Sequence, residues 1–262
     1  MHAQHIATVA AGLLFASAPA ATMGADPEVR FSTGVEFSSG TYGNTETIED
    51  IYVPLTLSVD YDRMAFRLTV PHLTVTGPAG TTITDPGGQP LPGEGEITTE
   101  SGLGDVIASV TFLDVLHDYE RGLALDATAS AKFGTADFDE GLGTGKDDYT
   151  LQFEAYKFFD SATLFGSAGY RLRGEPVGVE LNDVLIASIG ASWFMSERSS
   201  FGTALDFRES AVTGFDDVLE LSGFVSRRLS DSWVVDVYTF TGFSDSSPDW
   251  GVGASLTFGP GR

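Results

Sequence analysis

From Ile51 to Tyr61 the chain alternates strictly. Ile51, Val53, Leu55, Leu57, Val59 and Tyr61 fall on one face, and Thr56, Ser58 and Asp60 on the other. Successive side chains of a strand point to opposite faces, so this period of two predicts a strand with one apolar and one polar side. The pattern recurs. Leu123, Leu125, Ala127, Ala129, Ala131 and Phe133 alternate with Asp126, Thr128, Ser130 and Lys132. Phe201, Thr203, Leu205 and Phe207 alternate with Gly202, Asp206 and Arg208, and Trp250, Val252, Ala254, Leu256 and Phe258 with Gly251, Gly253, Ser255 and Thr257. About twelve strands are predicted, near 29–40, 49–61, 64–77, 102–115, 121–134, 148–158, 162–173, 182–195, 199–211, 216–229, 232–243 and 250–259. An even number suits a closed bacterial barrel. Pro54 sits on the polar side of its strand and lacks an N–H, which predicts a bulge or bend there.

The connections are sorted by parity. Tyr61-Asp62-Arg63-Met64, Phe159-Asp160-Ser161-Ala162, Ser196-Glu197-Arg198-Ser199 and Leu229-Ser230-Asp231-Ser232 are tight, and His117 to Gly122 is slightly longer. Between them fall long polar segments, Gly77 to Glu100, Thr135 to Asp147 and Gly242 to Asp249. Outer-membrane barrels have short periplasmic turns and long extracellular loops. The expected fold is therefore all-β: a single antiparallel transmembrane β-barrel occupying residues 26–262, with lipid against its apolar face. Tyr61, Phe112, Tyr149, Trp193, Phe194, Phe201, Trp233 and Trp250 fall near strand ends, where amphipathic rings favour the membrane interface.

No run is long and apolar enough for a helix to span a bilayer, which takes about 20 residues. Ile6 to Ala21 is apolar and ends in small residues, with Ala18-Pro19-Ala20 matching an A-x-A cleavage site. Residues 1–25 are expected to be a secretory signal peptide, although its leader carries His2 and His5 rather than Lys or Arg. Export to a Gram-negative outer membrane is the expected destination. The net charge of −23 argues against nucleic acid as a partner, because polyphosphate binding needs clustered Lys and Arg. With no Cys, neither a disulfide framework nor a thiolate metal site can form.

The polar sides of the strands carry Arg67, Asp105, Asp126, Lys132, Glu154, Arg171, Arg173, Asp206, Arg208, Glu220, Arg228 and Asp236. An Arg or Lys facing the bilayer midplane costs about 2–4 kcal/mol, so these groups are expected to face a water-containing lumen. There they either fill the lumen as ion pairs or form a charged selectivity region.

Catalytic and cofactor chemistry is not expected. His72 near the outer end of a strand and His117 in a periplasmic turn, the only histidines after the leader, fall on opposite sides of the membrane in this topology and have no accompanying Ser motif. Asp137, Asp139, Glu140, Asp147 and Asp148 cluster in one loop, but without the glycine placement and terminal Glu of an EF-hand. Gly141-Leu-Gly143-Thr-Gly145-Lys146 lacks the full spacing of a phosphate loop and has no following helix.

Three segments carry a resemblance. Ser101-Gly102-Leu103-Gly104-Asp105-Val106 opens a strand. Ala131-Lys132-Phe133-Gly134-Thr135-Ala136-Asp137 runs into Gly141-Leu-Gly-Thr-Gly-Lys-Asp-Asp-Tyr149. Gly169-Tyr170-Arg171-Leu172-Arg173-Gly174 follows. In this order they resemble the bacterial outer-membrane transporter family named for the MetA pathway of phenol degradation. The resemblance covers about residues 101–175 and extends beyond them only as pattern. It implies a passive channel for small, often aromatic or hydrophobic solutes, inserted by the barrel-assembly machinery. Such barrels often end in an aromatic residue, whereas Phe258 is followed here by Gly-Pro-Gly-Arg. Asp105 and Asp148 are expected to accept backbone N–H groups where the chain re-enters the sheet. The alternative reading is a structural or adhesive surface barrel without an open pore.

Overall fold

The computed structural model describes residues 26–84, 89–91 and 93–260; the expected signal peptide, residues 1–25, lies outside them. The strands are β1 (Glu28–Gly40), β2 (Ile48–Tyr61), β3 (Met64–Pro78), β4 (Ile97–Leu103), β5 (Val106–Asp118), β6 (Leu123–Phe133), β7 (Asp148–Phe158), β8 (Ala162–Leu172), β9 (Val184–Ser196), β10 (Ser199–Arg208), β11 (Val218–Ser230), β12 (Trp233–Gly242) and β13 (Trp250–Phe258). Each pairs antiparallel with its neighbour. β1 joins β13, and β3 pairs back on β2, so the sheet closes. The result is a twelve-strand transmembrane barrel plus one extra strand, with no helix among the described residues.

The extra strand comes from an interruption. β4 and β5 follow one course along β3, but His72 faces Leu103 whereas Thr69 faces Ile107. Three steps along β3 thus match four along its neighbour, which is a bulge. Gly104 sits in it and donates its N–H to the Pro71 carbonyl at 3.0 Å. A Cβ there would meet Leu73 Cδ1 at 2.8 Å and Pro71 Cγ at 3.1 Å, so any larger residue would require those side chains to shift. The strand expected near 102–115 is therefore β5 with β4 as its forward extension.

At Pro54 the expected bulge is absent. Pro54 faces Pro71 across β2–β3, and the registers on both sides of β2 run past it unshifted. The Pro71 carbonyl accepts from Gly104 on the other side of β3, so the Pro54–Pro71 pair exchanges no ladder bonds, and the pairing skipped is on the β1 side, at Gly34 and Val35.

Alternate residues are exposed around the barrel. Leu55 is 60% exposed and Ile189 66%, values a water-soluble core would not show. Bulky apolar groups on the outside and polar ones inside invert the soluble pattern and suit lipid. The outer rings pair near the strand ends: Trp193 on Phe201 with centroids 5.4 Å apart, Trp233 on Phe258 at 4.8 Å, and Phe37 on Trp250 at 5.2 Å. Phe194 differs. It faces Ser200 in the ladder and so falls on the opposite side from Trp193. The tight turns gather at one end with the start of β1 and the end of β13, and the long loops gather at the other.

Candidate functional site

The barrel interior holds the chemistry. At its loop end, Lys132 on β6 is buried and donates to Asp105 at 2.7 Å, to Thr144 at 3.0 Å and to the Lys146 carbonyl at 3.2 Å; Asp148 lies 3.4 Å away. Asp105 also accepts the Ala136 N–H at 2.9 Å, and Asp148 the Gly174 N–H at 3.0 Å. One cation between two carboxylates thus ties the β6–β7 loop to the strand interruption. The three resemblance segments converge on this knot.

Arg171 on β8 is almost wholly buried, and its Nε donates to Thr150 at 3.2 Å. Arg173 lies just past β8, with its N–H on Asp183 at 2.8 Å and its guanidinium 3.4 Å from Thr84. On the other side of the barrel, Asp206 on β10 faces Glu220 on β11, and Arg208 lies one inward position along from Asp206. Asp236 accepts Ser226, and Ser255 at 3.3 Å. Nearer the turn end, Asp126 faces Glu154 across β6–β7 and accepts the Asp114 N–H at 2.8 Å. Arg67 on β3 and Arg228 on β11 are half-buried on inward positions. The predicted charges thus form several separate groups rather than one ring.

Sequence reasoning missed Glu36 and Asp50. Both are buried on inward positions of β1 and β2. The signal was present. Phe31, Thr33, Val35 and Phe37 set the outward side of β1, and Asp50 directly precedes the Ile51–Tyr61 ladder. Tyr238 donates to Glu36 at 2.6 Å, and Ser38 donates to Asp50. In the loop beyond β1, the Tyr42 hydroxyl lies 3.1 Å from Ser38, and burial, then the Asp50 charge, hold that phenol protonated well above its usual range.

Large inward rings lie flat over glycines of the next strand. A Cβ on Gly253 would meet the Tyr238 ring at 2.3 Å, one on Gly251 the Phe240 ring at 2.1 Å, and one on Gly202 the Phe224 ring at 2.4 Å. The wall thereby carries aromatic faces without rings projecting across the lumen.

The β3–β4 loop reaches over the loop-end mouth. Ile83 donates to the Gly141 carbonyl at 2.9 Å. Gln89 accepts from Ser210 at 3.1 Å and donates to Ser246 at 3.3 Å, so it touches the connections that follow β10 and β12, on the far side of the barrel. Gly141 has φ of 70°, and a Cβ there would lie 2.0 Å from the Thr81 carbonyl, so the contact between these two loops requires glycine.

His72 is exposed on an outward position of β3, and His117 is exposed at the turn end, stacked on Tyr119 at 4.3 Å. Among the described residues no cluster of His, Asp and Glu has metal-holding geometry.

No family model matches the chain, and no curated protein does. Among solved structures it is similar to the COG4313 outer membrane channel from Pseudomonas putida F1, with a TM-score of 0.72 at 10% identity over 93% of this chain and 99% of that one. The NanC porin gives 0.55 at 8% identity over 87% and 98%. The translocator domain of autotransporter NalP from Neisseria meningitidis gives 0.55 at 11% identity over 98% and 95%. The shared property is the outer-membrane barrel fold.

Proposed function

We propose that this chain is an outer-membrane channel that passes small solutes passively, aromatic and hydrophobic ones among them. One observation carries the reading: a closed barrel with an apolar exterior encloses an interior rich in charged and hydroxyl side chains. Such an interior is cheapest when wet, and a wet interior across a membrane is a path. In this reading the turn end is periplasmic and the loop end extracellular, the signal peptide directs export, and the barrel-assembly machinery inserts the chain. Lipid and the solute are the partners. Arg67, Asp126, Lys132, Glu154, Arg171, Arg173, Asp206, Arg208, Glu220, Arg228 and Asp236 line the path or brace its wall.

Planar-bilayer recording tests this. The purified barrel is expected to give discrete conductance steps, and Arg171→Gln with Arg208→Gln to shift its ion preference toward cations. A silent wild type would oppose the reading. Unchanged conductance and preference in the double variant would remove those arginines from the path. The second reading, a closed surface barrel whose loops do the work, draws on Gln89, which bridges to two connections across the mouth. Function that survives lumen substitutions but not loss of the β3–β4 loop would favour it.

A further inference from the structure

Two parallel rows of inward side chains run across four adjacent strands near the loop end. In the first, Tyr238 faces Gly253, Gly253 faces Glu36, and Glu36 faces Tyr52. In the second, Phe240 faces Gly251, Gly251 faces Ser38, and Ser38 faces Asp50. The rows are two residues apart on every strand, so Glu36 and Asp50 are diagonal neighbours, within mutual reach of side chains. The glycines of β13 let both rings lie across that strand toward β1, and this brings the Tyr238 hydroxyl to Glu36.

The hydrogen bonding of this patch is half complete. Glu36 uses Oε2 for Tyr238 and leaves Oε1 without a partner. Asp50 uses Oδ1 for Ser38 and leaves Oδ2 without one. The Tyr52 hydroxyl, on a residue with 0% exposure, has no partner either. Among the described residues, neither carboxylate has an ion-pair partner. Asp236, by contrast, on the same wall, has both oxygens hydrogen-bonded to serines. Buried polar atoms are nearly always partnered, so three orphans on two adjoining rows need an explanation.

We propose that Glu36, Asp50 and Tyr52, flanked by the rings of Tyr238 and Phe240, form a subsite for a protonated primary amine with a small apolar or aromatic body. An ammonium group has three N–H donors and no acceptor. The patch offers three open acceptors, two of them anionic, and charge-assisted bonds to carboxylates are the strong kind. The ring faces suit the cation and the apolar body alike. An aromatic carboxylate of the same shape would meet two like charges. The inference deepens the channel reading by naming a solute class, and depends on it only in that the interior is reachable from water.

The test uses the full barrel in detergent and three probes of one shape: 2-phenylethylammonium, 2-phenylethanol and phenylacetate. Isothermal titration is expected to show binding of the ammonium and none of phenylacetate, with the alcohol far weaker than the ammonium. Glu36→Gln with Asp50→Asn is expected to weaken the ammonium by at least about tenfold, the scale of one lost charge-assisted bond. Tyr52→Phe, which changes no charge, is expected to weaken it about threefold. Asp139→Asn with Asp245→Asn, an equal charge change on exposed loops, is expected to leave binding as it was. Heat-modifiable migration confirms that each variant is folded; if the double carboxylate variant does not fold, Tyr52→Phe decides. Equal ammonium affinity in the folded subsite variants and wild type, phenylacetate bound as tightly as the ammonium, or no binding by wild type would overturn the proposal. Bilayer recordings on the same preparations separate the two readings. Conductance without ammonium binding removes the subsite and leaves the channel, whereas ammonium binding in a silent barrel removes the channel and leaves the subsite.

Discussion

Toward the loop end, the interior is built from rings, charges and a loop that crosses the mouth; at mid-height it is built largely from short hydroxyls, and charged groups such as Arg67, Asp126, Glu154 and Arg228 return toward the turn end. Tyr52, Leu73, Val75, Tyr238, Phe240 and Arg171 are buried in the first region. In the second, hydroxyls pair across neighbouring strands: Thr56 with Thr69 at 2.9 Å, Thr111 with Thr128 at 2.9 Å, and Ser167 with Ser188 at 2.8 Å. The backbone is the same barrel throughout, so inward side-chain length sets the free width. Ser and Thr satisfy each other along the wall. Arg, Tyr and Phe reach inward or must be laid flat over glycine. In the channel reading proposed above, discrimination between solutes would fall to the loop-end region.

The largest effect is expected at Lys132. Lys132→Met leaves the buried carboxylates of Asp105 and Asp148 without their cation, a loss of about 3–5 kcal/mol for a broken buried pair. The midpoint of urea unfolding, followed by heat-modifiable migration, should fall sharply, and protease should cut between Thr135 and Asp147. A midpoint within experimental error of wild type would show that the knot is not what holds the loop end together.

Next comes Gly253→Ala. Its Cβ would stand 2.3 Å from the Tyr238 ring, and overpacking of this kind costs about 1–3 kcal/mol. The displaced ring should also release Glu36, so the variant should lose stability and alter ion preference together. A stability loss with unchanged ion preference would separate the ring packing from the electrostatics.

The smallest effects sharpen the contrast between regions. Gln89→Ala removes two neutral hydrogen bonds, each contributing about 1 kcal/mol, and should raise the open fraction of the channel while barely moving the unfolding midpoint. Ser188→Ala, in the hydroxyl-lined region, should change neither by more than about 1 kcal/mol or its equivalent. If Ser188→Ala alters gating as much as Gln89→Ala does, the division of labour between the two regions fails.

Much of this architecture is legible in the residues. The alternation from Ile51 to Tyr61 places the faces of β2 correctly, and the parity of short and long connections orders the barrel. Asp105 and Asp148 accept backbone N–H groups at the loop ends, as their position after Gly104 and Asp147 suggests. The interruption between β4 and β5 shows in the sequence only as a slip of phase, from outward Leu103 to outward Val106, and the pairing with β3 is what identifies it as a bulge. Phe194 looks like a member of the interfacial belt by composition, yet its ladder position turns it to the other face. Pro54 looks like a bulge, yet the register on both sides of β2 is kept past it, and only the ladder to β1 skips there.

Glu36 and Asp50 mark the boundary between the two kinds of information. Local alternation suffices to turn both inward, since side-chain direction in a strand is set by period two alone. That Glu36 meets Tyr238, which lies 202 residues away in sequence, follows from closure of the sheet through β13. The sequence by itself determined which faces are apolar, where the chain turns and the sign of each inward charge, because these depend on neighbours along the chain. Only the tertiary structure decided which charges are paired, which oxygens stay open and which loop crosses the mouth. Those depend on inter-strand register and on distances across the barrel, which a one-dimensional pattern does not contain.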